Sequence, residues 1–246
     1  MVDPYAQIPA FYDVEFAGAT ADISTYFRDL SGARRVLVLG CGTGRVSEGL
    51  VHPDREVVGV DLSGPMIDRA RATAREGVAH YRVGDMCHLA GLELGIFDAV
   101  VIPNAAFSFL PSRRAQLQCL QQVRELLRGG PLWIDVPMPD FELLGAAHSP
   151  EAPAWQGQVG DAQIRRTREV FRKPVAQQLL LRDRYYADDA GEQVPICVSD
   201  LPLRLIFPAE LEWLLESAGF YADALYGNHA GGPLAEGCDR LLCRAL

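Results

Sequence analysis

VLVLGCGTGR, residues 36–45, is the stretch that decides the fold of this chain. An apolar run, Arg35–Leu39, leads into three closely spaced glycines and then into a segment that reads as a helix. A strand followed by a glycine-rich turn and a helix forms a nucleotide site, because glycine lets the backbone turn sharply and lets a ligand approach the main chain closely. The stretch therefore predicts the first βα unit of a nucleoside-binding sheet.

A carboxylate follows the second apolar run. Residues 56–60 read EVVGV and are followed directly by Asp61. In such sheets a carboxylate at the end of the second strand accepts hydrogen bonds from a ribose diol. The glycines fall at positions 40, 42 and 44, and Arg45 stands where a dinucleotide fingerprint has its third glycine. This spacing argues against a pyrophosphate lying on the helix and favours a nucleoside ligand without phosphate.

Together these features resemble the class I S-adenosylmethionine-dependent methyltransferases. The resemblance rests on three strings in the order and spacing of the family: residues 36–45, residues 58–63 (VGVDLS) with Met66, and residues 84–86 (GDM). It covers almost the whole chain, since residues 207–220 (FPAELEWLLESAGF) resemble the C-terminal helix entry of small-molecule methyltransferases. The likeness is greatest to bacterial amino-sugar N,N-dimethyltransferases and glycine- or sarcosine-type N-methyltransferases.

The resemblance implies S-adenosyl-L-methionine as the cofactor and assigns its contacts by position. Asp61 would accept both ribose hydroxyls, and Asp85 would receive the adenine amino group. The implied cofactor-binding residues are Tyr12, Gly40, Cys41, Gly42, Gly44, Asp61, Leu62, Met66, Asp85, Met86 and Asn104. The candidate residues for binding the acceptor are Phe107, Tyr185, Arg204 and His229, and no catalytic base is identified.

One position departs from the family pattern. Val38 stands where the family usually has Glu or Asp, an acid that helps to set the methionine end of the cofactor. The leading hypothesis is methyl transfer to a nitrogen or oxygen of a small molecule, and a catalytically silent binding module of the same fold is the alternative. A nicotinamide oxidoreductase is a third hypothesis, against which Arg45 and the Asp85-Met86 pair argue.

The rest of the chain predicts one methyltransferase domain over residues 1–246. Five βα units, an added helix and two final strands indicate a doubly wound α/β fold, with a Rossmann-like, mostly parallel sheet of seven strands. Residues 1–30 are expected to form an aromatic cap. Residues 137–153 read as a linker or lid, and three further strands predict an antiparallel β platform, residues 154–207, inserted between strands five and six.

The composition of the chain indicates which classes of binding partner are favoured. A formal charge of −9 and a pI of about 5.0 disfavour nucleic acid, because binding to a phosphate backbone needs clustered cations. Cysteine and histidine spacing does not indicate a metal site, and no apolar run has the length of a signal peptide or a membrane span. We therefore expect a cytoplasmic protein with a small-molecule acceptor, and the platform is a candidate homodimer surface.

Overall fold

A seven-stranded sheet forms the centre of the molecule. The structure is a computed structural model, and it describes residues 3–74, 79–139, 146–187 and 194–246. With strands numbered in chain order, the main sheet comprises β1 (Arg35–Leu39), β2 (Glu56–Asp61), β3 (Ala79–Val83), β4 (Ala99–Ile102), β5 (Leu132–Pro137), β10 (Ala222–Tyr226) and β11 (Arg240–Ala245). The strand order is β10-β11-β5-β4-β1-β2-β3.

All neighbouring strands run parallel except β11, which is antiparallel to both β5 and β10. All four residues of β4 are buried, as expected for a parallel strand that is covered on both faces. The doubly wound, mostly parallel sheet of seven strands is confirmed.

Helices cover both faces of this sheet. They are α1 (Pro9–Phe16), α2 (Ala21–Asp29), α3 (Arg45–Gly49), α4 (Gly64–Thr73), α5 (Arg113–Leu126) and α6 (Pro208–Ser217). Ser63 and Ser112 cap α4 and α5, because each side chain accepts a backbone N–H three residues later. One core cluster joins the sheet to α5 and α6, and a second joins it to α2, α3 and α4.

A separate four-stranded antiparallel sheet lies between β5 and α6 in the chain. We call this sheet the platform. Its strands, in spatial order, are β6 (His148–Val159), β7 (Ala162–Lys173), β8 (Gln178–Ala187) and β9 (Cys197–Arg204). The inserted antiparallel layer is confirmed, but the expectation of three strands is wrong.

The extra strand, β6, begins inside the segment interpreted as a linker or lid. It is an edge strand that carries two prolines and is largely exposed, so it lacks the alternating apolar pattern of a half-buried strand. The hairpin break expected at residues 188–192 lies outside the described residues. The proposed domain boundaries stay predictions.

The N-terminal segment bridges the main sheet and the platform. Glu15 forms an ion pair with Arg166 of β7 at 2.6 Å, and Asp13 forms one with Arg69 of α4 at 2.7 Å. Earlier in the segment, the Pro4 carbonyl accepts a hydrogen bond from the Ser199 hydroxyl of β9. These contacts attach α1 and the preceding residues to both sheets, so that they cover the space between them.

Two negative findings apply to the described residues. No helix among them is long and apolar enough to cross a membrane. The same ranges contain no group of three or more His, Cys, Asp or Glu side chains that could hold a metal ion.

Candidate active site

A cavity of about 580 Å³ opens at the carboxyl ends of β1 to β4, beneath the N-terminal segment. This edge of a doubly wound sheet is where ligands bind, because the loops that follow parallel strands converge there. Of the predicted cofactor-binding residues, the cavity is lined by Tyr12, Gly40, Cys41, Gly42, Asp61, Leu62, Met66, Asp85, Met86 and Asn104. Gly44 instead lines a smaller neighbouring cavity of about 280 Å³.

The glycine turn brings the main chain close to its neighbours. Gly40 has φ +69°, and a Cβ atom there would lie 2.3 Å from the Cβ of Ala106. Gly44 has φ +91°, and a Cβ atom would lie 2.4 Å from the hydroxyl oxygen of Tyr81. Both positions therefore need glycine for shape, since a side chain would collide with a packed neighbour.

Asp61 is oriented by two backbone donors. Its Oδ2 accepts the N–H of Gly42 at 2.8 Å, and its Oδ1 accepts the N–H of Ser63 at 2.9 Å. Burial raises the pKa of Asp61, and these two hydrogen bonds partly oppose that effect. Because a carboxylate oxygen accepts more than one hydrogen bond, both oxygens keep acceptor capacity for a vicinal diol.

The side chains at the other end of the cavity are more exposed. Leu62 is 66% exposed and lines the cavity wall. Asp85 follows β3, and its Oδ1 accepts the N–H of Cys87 at 2.8 Å. The Oδ2 of Asp85 lies 3.1 Å from Nδ1 of His88. An accessible apolar side chain beside a carboxylate suits a planar heterocycle with an amino group. Met66 is only 1% exposed, so it supports this wall mainly from the core.

Aromatic rings form the wall beneath the N-terminal segment. The Tyr5 ring meets the Tyr12 ring edge-on at 6.4 Å and the Phe109 ring at 5.6 Å between centroids. The Tyr12 hydroxyl accepts a hydrogen bond from Nδ2 of Asn104 at 2.9 Å. Burial raises the pKa of both Tyr5 and Tyr12, so these phenols are neutral near pH 7.

The four candidate acceptor residues lie elsewhere, and none lines the cavity. Phe107 is fully buried in the core, and Tyr185 is 2% exposed and stacks on Phe11 at 4.9 Å. Arg204 is 6% exposed and donates hydrogen bonds to side chains on α5, α6 and the segment before β8. His229 contacts the carboxylate of Asp135. Phe107, Tyr185 and Arg204 are buried against protein partners, whereas the His229 side chain is 17% exposed, and the role of all four in binding an acceptor stays a prediction.

Sequence reasoning missed Tyr5 in this wall. The aromatic residues of the N-terminal segment were the available signal, but aromatic residues are equally suited to the core. Periodicity does not distinguish a ring that faces a cavity from one that is packed. The contact between Tyr5 and Phe109 joins parts of the chain about a hundred residues apart, so only the tertiary structure shows it.

Comparison with known proteins agrees with this geometry. Residues 36–130 match the model of a family described as a methyltransferase domain. The structure of the CcbJ methyltransferase from Streptomyces caelestis aligns with a TM-score of 0.81 and 25% identity, covering 98% of this chain and 96% of that one. The SAM-bound structure of CalS10, an amino pentose methyltransferase from Micromonospora echinaspora, aligns with a TM-score of 0.69 and 19% identity, covering 96% and 94% of the two chains.

A curated protein sequence shows a comparable level of identity. The cypemycin N-terminal methyltransferase of a Streptomyces species is 26% identical over 229 residues, which cover 88% of this chain and 84% of that protein. The chain spans only 30–43% of the length of the first curated relatives that it matches.

Residues 36–130 thus match a methyltransferase-domain family, and the whole chain has the Rossmann-like α/β fold of the methyltransferase structures with which it aligns. Together with neighbours that carry SAM, the match indicates S-adenosylmethionine as the cofactor, and that prediction is confirmed. The residues present fit this ligand. Asp61 offers acceptors for a ribose diol, and Gly42 leaves open the space towards Tyr12 that a side chain would enter.

Proposed function

We propose that this protein transfers the methyl group of S-adenosylmethionine to the amino nitrogen of a small molecule. One observation carries the proposal: the cavity joins a nucleoside-type site around Asp61 to a wall of neutral aromatic side chains around Tyr5. When bound, the cofactor supplies an electrophilic methyl group on a positively charged sulfur.

The lining divides into two ends. Asp61 would hold the ribose, Leu62 and Asp85 would flank the adenine, and the backbone near Gly40 would meet the methionine end. The remaining wall, formed by Tyr5, Phe109, Leu110 and Pro202, would receive the acceptor. The protein then contributes mainly by placing the acceptor in line with the methyl group and excluding water, which are effects of proximity and orientation.

Charge in the cavity favours a cationic acceptor. Among the described residues, the charged side chains of the lining are Asp3, Asp61, Asp85, Asp200 and Arg45. Arg45 is paired with Asp22 at 2.6 Å and Asp200 is paired with Arg182 at 2.7 Å, so Asp3, Asp61 and Asp85 give the lining an excess of negative charge. A negative, aromatic wall attracts an ammonium group through its field and through cation–π contact.

The titratable groups of the lining also favour nitrogen over oxygen, because the possible bases among the described residues are aspartates, which are weak bases for an alcohol. Within the described residues, the cavity lining has no His and no Lys, and its buried phenols have raised pKa values. An alcohol needs a base to become a good nucleophile, whereas an amine that binds as its ammonium form attacks directly once it has lost one proton to water. The amine nitrogen bonds to the methyl carbon as the carbon–sulfur bond breaks, the electron pair stays on sulfur, and the surplus proton on nitrogen leaves to water.

Two relatives support an amine acceptor by their names: one is described as an amino pentose methyltransferase and the other as the cypemycin N-terminal methyltransferase. An oxygen acceptor is the second candidate, because curated relatives that match shorter stretches include O-methyltransferases. The homodimer through the platform stays a prediction, which light scattering on the purified protein checks.

Methyl transfer from labelled S-adenosylmethionine to two matched panels tests the proposal. One panel holds amino sugars and short N-terminal peptides, and the other holds the corresponding hydroxy compounds. We expect turnover confined to the amines. Turnover only in the hydroxy panel contradicts nitrogen transfer. Binding of S-adenosylhomocysteine without turnover in either panel supports the catalytically silent module.

A further inference from the structure

A strained turn follows β4 at the methionine end of the cavity. Asn104 has φ +47° and Ala105 has φ +66°, a left-handed conformation that non-glycine residues rarely adopt. Asp135 of β5 holds both residues, since its carbonyl accepts the N–H of Ala105 at 2.9 Å and its Oδ2 accepts the N–H of Asn104 at 3.3 Å. Strain of this kind persists only where the surrounding structure over-determines it, and it concentrates at functional sites.

Three donor side chains converge on the same carboxylate, of which the Tyr26 hydroxyl is the most distant, at 3.4 Å from Oδ2. Arg240 of β11 donates from Nη1 to Oδ1 of Asp135 at 2.9 Å, and Nε2 of His229 lies 3.0 Å from Oδ2. The Asp135 side chain is 1% exposed, so a charge there needs such partners. Burial raises the pKa of Asp135, but the hydrogen bond with His229 and the charge of Arg240 outweigh it and hold the pKa below its usual value.

Arg240 also determines which way the Asn104 amide faces. Its Nη2 donates to Oδ1 of Asn104 at 3.2 Å. Because a guanidinium only donates, this contact selects the amide oxygen and turns Nδ2 away from the arginine. Nδ2 of Asn104 then donates to the Tyr12 hydroxyl at 2.9 Å. A chain of directed hydrogen bonds therefore leads from the buried Asp135 to α1, which covers the cavity.

Val38 contributes no polar group to this part of the sheet. It is fully buried in an apolar cluster with Val101 and Trp133, which are its lateral neighbours across β4 and β5. Asp135 lies two residues beyond Trp133, and it is therefore on the same face and nearer the cavity edge. The carboxylate that serves this end of the cavity thus comes from β5.

We propose that Asp135, with His229 and Arg240, is a positioning network that sets Asn104 and Tyr12 for the methionine end of the cofactor. The inference rests on the proposed cofactor site and adds residues that act through Asn104. None of the three lines the cavity, so their effect on the ligand is indirect.

The test is a double-mutant cycle read by calorimetric titration with S-adenosylhomocysteine. The variants are Asp135→Asn, Asn104→Ala and the double substitution. We expect each single change to weaken binding at least tenfold, and the double variant to be within threefold of the weaker single variant. Such non-additivity is the signature of residues that act as a unit, and a general loss of stability does not produce it.

Asp98→Asn is the matched control. The Asp98 carboxylate likewise accepts hydrogen bonds from the main chain, namely the N–H groups of Arg34 and Arg35, but Asp98 immediately precedes β4, at the opposite end of the strand from the cavity. We expect its affinity to stay within twofold of the parent. Arg240→Gln is a second variant that tests the network if Asp135→Asn does not fold. It should weaken the binding of S-adenosylhomocysteine at least fivefold.

Hydrogen exchange without any ligand supplies an independent readout. Releasing Asn104 should speed amide exchange in α1 in Asp135→Asn, with no change in α1 of Asp98→Asn. Additive effects in the cycle, or parent-like affinity in both Asp135→Asn and Arg240→Gln, overturn the network. If the parent protein does not bind S-adenosylhomocysteine, the result contradicts the proposed function on which the network rests.

Discussion

The backbone N–H of Gly42 donates to Oδ2 of Asp61 at 2.8 Å. This bond joins the turn after β1 to the tip of β2, and it aims the carboxylate into the cavity before any ligand arrives. The glycine turn and the acidic strand end, which lie nearly twenty residues apart, therefore form one preorganised element. Preorganisation favours binding because the ligand does not have to order the site.

Replacement of Asp61 tests this element. Asp61→Ala removes both acceptors for the ribose diol and leaves the N–H of Gly42 without its partner. We expect the affinity for S-adenosylhomocysteine to fall by about 2–4 kcal/mol, because two hydrogen bonds to a charged group are lost. Calorimetric titration measures the change. Asp85→Ala is a useful comparison at the adenine end, and parent-like affinity in Asp61→Ala contradicts the assigned orientation.

Gly44 offers a stability test that is independent of the ligand. Gly44→Ala places a Cβ atom at positive φ and against the Tyr81 hydroxyl, so we expect a loss of about 2–4 kcal/mol in the free energy of unfolding. Urea denaturation measures it. Tyr81→Phe removes the hydroxyl and should recover part of the loss in the double variant. If the double variant shows no recovery, the steric part of the explanation is wrong.

The aromatic wall predicts a separation between acceptor and cofactor binding. Tyr5→Ala and Phe109→Ala remove rings from the acceptor end, so we expect the KM for an amine substrate to rise about tenfold or more. The affinity for S-adenosylhomocysteine should stay within about twofold, since Asp61 and the glycine turn are untouched. A parallel loss of cofactor affinity in both variants contradicts the division of the cavity into two ends.

Tyr12→Phe should behave differently from these wall variants. It removes the hydroxyl that accepts from Asn104 and leaves a half-buried amide donor without its partner. We expect about a tenfold loss in affinity for S-adenosylhomocysteine, equivalent to about 1.4 kcal/mol. Tyr5→Phe is the matched control, because the substitution is the same and the residue lies at the acceptor end.

Asp135 makes the free energy of unfolding depend on pH in the acidic range. Its pKa in the folded state lies below its ordinary value of 3.8, so the ionised carboxylate stabilises the native state above pH 3.8. That contribution is lost as the pH falls through the lower, folded-state pKa. At pH 7 we expect Asp135→Asn to cost about 3 kcal/mol, because Arg240 loses a buried counter-ion.

Urea denaturation of parent and Asp135→Asn at pH 7, 5, 4 and 3 measures this dependence. The difference between the two proteins should shrink below pH 4, because Asp135 then becomes protonated in the parent protein. A difference that grows on acidification has the wrong sign for a carboxyl whose pKa is lowered by folding.

By itself the sequence determined the main sheet and the cofactor side of the cavity. The turn at residues 40–44 and the carboxylate of Asp61 are local features, because strand, glycine and strand-end acid follow one another closely in the chain. Parallel strands then bring their carboxyl ends to one edge whatever the rest of the chain does.

Only the tertiary structure decided the acceptor wall, the strand β6 and the network at Asp135. Tyr5 meets Phe109, and Asp135 meets His229 and Arg240, across about a hundred residues of sequence. Phe107 and Arg204 have side chains as suitable for an acceptor as those of Phe109 and Arg45, yet packing directs them inward. Residue type and periodicity specify which faces are apolar, but the choice between core and cavity depends on how distant elements pack.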